Sequence, residues 1–182
     1  MIYINSKTKI LKYHIISTIF VCITGTLLHF LFEWTNENIL IAAFSAINES
    51  VWEHLKLVLF PMLFTSIIGY FLLGKSLQRF FCSRLKGILT SIIFIIIFFY
   101  TYTGIIGTNY AILDIGSFFI AVFLGEFLSY KDMISNKKCK KTFSIIILAI
   151  LTFTFIIFTY STPHINLFKD PINNQYGLFN LE

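Results

Sequence analysis

The residues of this sequence best suited to chemistry are His29, Glu33, Glu49, Glu53, His54 and Asp114. Imidazoles and carboxylates together form a donor set that suits zinc or manganese, and a carboxylate beside a bound water can act as general base. His29-x-x-x-Glu33 places two ligand types one helical turn apart, although the H-E-x-x-H pattern is absent. Glu49, Trp52, Glu53 and Lys56 share a helix face at i, i+3, i+4 and i+7, and on that spacing His54 points elsewhere. A metal reading takes His29, Glu33, Glu49, Glu53 and Asp114 as ligands of a divalent ion such as zinc. An acid–base reading takes Glu49, Glu53, His54 and Lys56 as catalytic groups. A plainer reading stands beside both: Glu49 and Glu53 pair with Lys56 and cap a helix, while His29 bonds a neighbouring hydroxyl. Trp34, Trp52, Tyr100 and Tyr102 fit either the border of a site or the aromatic belt of a membrane interface.

The elements that must position these groups follow from composition. Of 182 residues, 57% are hydrophobic and 13% charged, with a mean hydropathy of +0.80. A soluble domain carries about 25% charged residues, and a small one leaves too much surface exposed to hide this much Phe, Ile and Leu. The bilayer is the natural solvent for such a chain. Crossing its hydrocarbon core takes about 20 mainly apolar residues, and five stretches qualify: Tyr13–Phe32, Leu55–Leu73, Gly87–Ile106, Tyr110–Leu128 and Phe143–Tyr160. The first is too long for a signal peptide and lacks a small-residue cleavage site, so it reads as a retained helix. The expected fold is all-α: a single polytopic domain of five transmembrane helices, with residues 1–12 and 162–182 on opposite sides. Asn38–Ile47 is apolar but too short to span, which makes it an interfacial or re-entrant segment. Ser50-x-x-Glu53 has capping-box form and starts the second helix near 48–50, and Pro61 should kink that helix.

Orientation follows from basic residues in the connections. Twelve Lys and Arg fall in the N-terminal segment and the 74–86 and 129–142 connections, against Lys169 alone on the other side and Lys56 at a helix edge. The N-terminus is therefore expected in the cytoplasm and the C-terminus outside. This distribution also explains the net charge of +5 without nucleic-acid binding. On this topology His29, Glu33, Glu49, Glu53, Tyr100, Tyr102 and Asp114 gather toward the outer leaflet. Glu126 lies near the inner end of the fourth helix, at the interface or in a proton relay. Gly104 and Gly107 read as close-contact and turn residues, and His164 has no evident partner. Cys22, Cys82 and Cys139 show no C-x-x-C or zinc spacing, and no structural disulfide is expected.

The stretch Asn48-Glu49-Ser50-Val51-Trp52-Glu53-His54-Leu55-Lys56, followed by Pro61-Met62, resembles the signature of a family of small multi-pass membrane proteins from clostridia and related Firmicutes, catalogued as a domain of unknown function. The resemblance extends to His29, Glu33-Trp34, Phe99–Gly104, Leu167-Phe168-x-Asp170-Pro171 and Tyr176-Gly177. It implies a bacterial cytoplasmic-membrane protein among lipids and assigns no catalytic residue. The function expected from the residues is a membrane-embedded hydrolase acting on a lipid or envelope substrate, or a metal-binding site, at the outer leaflet. The alternatives are a small transporter or channel component using Asp114 and Glu126, and a non-enzymatic accessory subunit that binds a partner helix.

Overall fold

A computed structural model describes residues 2–135 and 137–178. It is all-helical, with α1 over Ile2–Trp34, α2 over Ile39–Ala42, α3 over Val51–Leu72, α4 over Phe80–Ile106, α5 over Ala111–Met133 and α6 over Lys141–Tyr160. Five of these, all but α2, are long and apolar enough to cross a membrane. Helices α1, α4 and α5 run past the apolar windows read from sequence. A helical backbone satisfies its own hydrogen bonds whether or not its side chains are apolar, so hydropathy marks the hydrocarbon-depth part of a helix rather than its ends. Helix α1 stops where Asn36 and Glu37 turn left-handed and the Glu37 N–H reaches back to the Phe32 carbonyl at 3.0 Å. Ser50 caps α3, its hydroxyl accepting from the Glu53 N–H.

Helices α1, α3, α4 and α5 form a ring in which each packs on the next, and α6 lies against α4 and α3. The tightest seam joins α4 and α5. A Cβ on Gly125 would fall 2.0 Å from Ser91 Oγ and 2.6 Å from the Gly87 carbonyl, so only glycine permits this approach. One end of the ring gathers the lysine-rich segments; the other gathers α2, the α4–α5 turn and the C-terminal tail.

The lysine-rich end holds a buried polar network that sets the register of the ring. Glu126 of α5 meets Arg84 Nη1 of α4 at 2.6 Å, His14 Nδ1 of α1 at 2.6 Å and Ser17 Oγ of α1 at 2.7 Å. Arg84 continues into α3, donating to Ser66 Oγ at 2.7 Å, the Met62 carbonyl at 3.1 Å and Thr65 Oγ1 at 3.0 Å. Arg84 is therefore not one of the solvated loop charges that its place in the 74–86 connection implies; it is fully buried within α4. A guanidinium has five N–H donors, so it can bridge a carboxylate and three acceptors of another helix at once. Nearer the same end, Asp132 pairs with Arg79 Nη2 at 2.6 Å and accepts from Ser83 Oγ at 2.9 Å.

A second correction concerns the cysteines. Cys82 and Cys139 form a disulfide across 57 residues of sequence, tying the first turn of α4 to the α5–α6 connection. No motif announces it, because the pair is close only after α5 has crossed the bundle and returned the chain.

Two outcomes follow. Glu126→Ala leaves the Arg84 charge stranded and should lower stability by about 3–5 kcal/mol, most of it regained when Arg84→Met is added; unfolding in mixed micelles measures both. Maleimide labelling of denatured protein should modify Cys22 alone before reduction and all three cysteines after it.

Candidate functional site

At the opposite end of the ring, the chain between α1 and α3 builds a site from local constraints. Asn48 Oδ1 accepts from the Ser50 N–H at 2.9 Å, closing a side-chain turn that ends the loop and starts α3. The Asn48 amide also donates to the Gly177 carbonyl at 3.2 Å, and Asp170 accepts from the Glu49 N–H. Asp170 itself is buried, with Oδ1 capping the Ile172 N–H at 2.7 Å. The tail thus holds the Asn48–Ser50 turn in place. Trp52 reinforces this hold: it stacks on Phe155 of α6 at 3.9 Å between ring centroids and lies 4.5 Å from Phe168 of the tail. It is a core residue rather than part of an aromatic belt.

The turn decides what Glu49 can meet. Because Ser50 is the N-cap, Glu49 lies outside the helix, and the i, i+4, i+7 face that sequence spacing assigns to it with Glu53 and Lys56 does not apply. His54, expected to point elsewhere, instead stands beside Glu49. His54 Nε2 lies 3.4 Å from Glu49 Oε2 and 3.3 Å from His29 Nε2 of α1, and His29 Nε2 lies 3.7 Å from Glu49 Oε1. One ligand atom from each of His29, Glu49 and His54 falls within 4.8 Å of the others. His54 Nδ1 donates to the Ser50 carbonyl at 2.9 Å, which leaves the Nε2 lone pair facing the cluster. Helix α1 is brought close enough by Gly25, one turn before His29, where a Cβ would sit 2.5 Å from the Leu57 carbonyl of α3. That carbonyl is the one Pro61 cannot bond, so the proline makes the docking point for α1.

The cluster borders a cavity of about 210 Å³ whose lining also includes Asp114, Asn109 and Ser117. Its apolar wall comes from residues such as Leu57, Ile95, Phe99 and Phe118. Asp114 stands in the first turn of α5, where the Tyr102 hydroxyl donates to its Oδ1 at 2.5 Å.

The other sequence candidates lie apart. Glu33 is exposed and does not line the cavity. Tyr100 is exposed as well. Glu53 and Lys56 point the opposite way from His54 and form a fully buried ion pair. Lys56 Nζ also donates to the Ala42 carbonyl at 2.8 Å and to Thr159 Oγ1 at 3.0 Å, while Glu53 accepts from the Ile47 N–H at 3.2 Å. This pair fastens α2 and the 43–50 loop to α3 and α6. Its bonds are all structural, which answers the plainer reading for Glu53 but not for Glu49.

The nine-residue stretch Asn48–Lys56 therefore contributes the turn, the cap, the aromatic anchor, the buried pair and two members of the cluster, Glu49 and His54. The model of a family of unknown function, DUF6512, matches residues 1–178. The chain belongs to that family. No curated protein matches the chain, and neither does any solved structure. Family membership supplies no activity, so the chemistry of the site rests on its own geometry.

Sequence reasoning did not find Arg84, His14 or Ser17 as partners of Glu126. A signal for them existed: a carboxylate at bilayer depth needs a counter-charge, and Arg84 occupies the matching depth at the start of the preceding helix.

Proposed function

We propose that this DUF6512 chain is a multi-pass protein of the bacterial cytoplasmic membrane that binds a divalent cation through His29, Glu49 and His54 and uses it for hydrolytic chemistry at the outer leaflet. The observation that carries the reading is the convergence of three ligand atoms from α1, α3 and the turn between them. A tetrahedral ion with bonds of about 2.0–2.1 Å separates its ligands by about 3.3–3.4 Å; His54 Nε2 lies 3.3 Å from His29 Nε2 and 3.4 Å from Glu49 Oε2, while the 3.7 Å contact of His29 is to the other carboxylate oxygen, so one donor atom from each residue falls within 4.8 Å of the others. Two histidines and a glutamate suit zinc, and three protein ligands leave a position for water, as catalytic rather than structural zinc sites do. The cavity supplies room beside that position.

A transport reading has weaker support. Leu57, Ile95 and Phe118 give the cavity an apolar lining, and along α1 the hydroxyls of Thr18, Thr24 and Thr26 bond back to their own helix. His14 and His29 are separated by about 22 Å at 1.5 Å per residue, and those three hydroxyls, bonded to their own helix, do not link them.

Orientation rests on charge. With Arg84 buried, eleven basic residues still stand at the lysine-rich end against Lys169 in the tail. The disulfide at the lysine-rich end pulls the other way, since stable disulfides belong to oxidising compartments. The charge asymmetry outweighs it, because it acts during insertion and a thiol pair does not direct insertion.

Metal analysis of detergent-purified protein should find one zinc per chain, lost in His54→Ala and His29→Ala and retained in Glu33→Ala. A wild type that binds no divalent metal would remove the reading. Cysteines placed at Glu37 and, near Gly177, at the exposed Gln175 should label from outside intact cells and one at Ser135 should not; the reverse pattern inverts the topology.

A further inference from the structure

We infer that the cavity takes a neutral acyl bond, the ester or amide of an amphiphile, and that Asp114 accepts the proton of the attacking water. This rests on the cation reading above and adds to it a substrate class and a base.

Charge selects the substrate. The residues lining the cavity include two carboxylates, Glu49 and Asp114, and no lysine or arginine. A divalent cation balances those two carboxylates and leaves nothing over for a phosphate dianion. Hydrolysis of a neutral acyl bond keeps the balance throughout. When Asp114 becomes protonated, the site gains one positive charge at the moment the tetrahedral oxygen gains one negative charge. A phosphomonoester would instead bring two negative charges into a pocket walled by carboxylates, an arrangement that costs several kcal/mol in a low dielectric.

Size and surroundings point to an amphiphile. About 210 Å³ is below the 300–1,000 Å³ of sites that enclose a whole drug-sized ligand, so only the reacting end of a substrate enters. The rest must lie at the rim, and the rim is apolar: Ile115 lines the cavity yet is 58% exposed, and Ile172 of the tail lines it and is 70% exposed. Ile112, one turn before Gly116 on α5, is exposed beside them, and a Cβ on Gly116 would meet nothing within 4 Å. A hydrocarbon chain can therefore lie along α5 while the acyl carbon sits among the polar groups.

Asp114 has the geometry of a base. Tyr102 Oη fixes its Oδ1 and is itself held by the Tyr110 N–H at 3.3 Å, while Oδ2 carries no hydrogen bond among the described residues. The water oxygen bonds to the acyl carbon as its proton passes to Oδ2. The bond from the acyl carbon to the alcohol oxygen or amine nitrogen then breaks, and Oδ2 returns the proton to that leaving group. The products are a carboxylic acid and an alcohol or amine, with no redox change and Asp114 restored.

The test uses full-length protein in nanodiscs, loaded with one equivalent of zinc, and three fluorogenic probes: umbelliferyl decanoate, umbelliferyl acetate and umbelliferyl phosphate. Expected are zinc-dependent hydrolysis of the decanoate, at least about tenfold lower kcat/KM for the acetate from the lost chain contacts, and no turnover of the phosphate. Asp114→Asn should keep its zinc and lose about 10²–10⁴-fold in rate, the usual contribution of a general base. Tyr102→Phe, which leaves the carboxylate in place but unheld, should lose less and shift the pH profile. Zinc-loaded protein that hydrolyses the phosphate, or none of the probes, overturns the substrate class while leaving the cation site standing. Full activity in a zinc-loaded Asp114→Asn overturns the base. Protein that binds no zinc overturns both readings together.

Discussion

A charge placed inside a helix bundle has to meet its counter-charge there, and the Arg84–Glu126 contact is where this chain satisfies that demand. Removing an ion from water costs several kcal/mol even after relaxation. The cost is offset only because Arg84 and Glu126 spend nearly all their hydrogen-bonding capacity on α1 and α3 as well as on each other. Four helices are thereby fixed in register at one level. Helices are stiff rods with a constant rise, so fixing His14 against Glu126 also fixes where α1 and α5 arrive at the other end. His29 is about four turns further along α1 than His14, and Asp114 about three turns before Glu126 on α5. The residues of the tail-end cavity are thus placed by a salt bridge far from it.

The same logic accounts for the Asn48–Lys56 stretch. Its two helical faces do different work. Glu53 and Lys56 face inward and hold the loop that precedes the helix, because backbone groups of that loop, the Ala42 carbonyl and the Ile47 N–H, have no other partners at that depth. His54, one residue after Glu53, faces the opposite way and meets α1. The half-buried His29–Glu49–His54 cluster can therefore sit directly beside a fully buried ion pair without sharing its charges. The tail adds the last constraint, since Phe168 and Asp170 pin the turn that carries Glu49.

Much of this was legible in the residues. Hydropathy found the five long helices because nothing else in a protein resembles twenty apolar residues in a row. Ser50-x-x-Glu53 gave the start of α3 because a cap is a local interaction. His29, Glu49, His54 and Asp114 were recognisable as candidates by type. What sequence could not give was which of them meet. The helical-face argument grouped Glu49 with Glu53 and Lys56, and it failed because Glu49 is one residue outside the helix, where the 3.6-residue period has no force. Glu33 was grouped with His29 on the same helix, yet it lies one turn further out, past the reach of α3. Arg84 was counted as a loop charge because its partner is 42 residues away. The Cys82–Cys139 pair escaped for the same reason, being joined only through the crossing of α5.

The position of the two polar clusters bears on what kind of chemistry the bundle suits. The Arg84–Glu126 cluster is closed: its two charges are buried and bonded to each other and to α1 and α3, and moving either would strand the other. The His29–Glu49–His54 cluster is half-exposed and borders a cavity, and its side chains meet one another at 3.3 to 3.7 Å. Rigidity at one end and a half-exposed, cavity-lining cluster at the other is the division expected of a binding or catalytic site carried on a fixed scaffold, since working groups must be held to within a fraction of an ångström by groups that do not themselves take part. An alternating-access transporter would need the reverse, a mobile seam between the clusters, and the glycine-tight α4–α5 contact with Ser91 bonded to the Ala121 carbonyl at 2.8 Å lies where that seam would have to open.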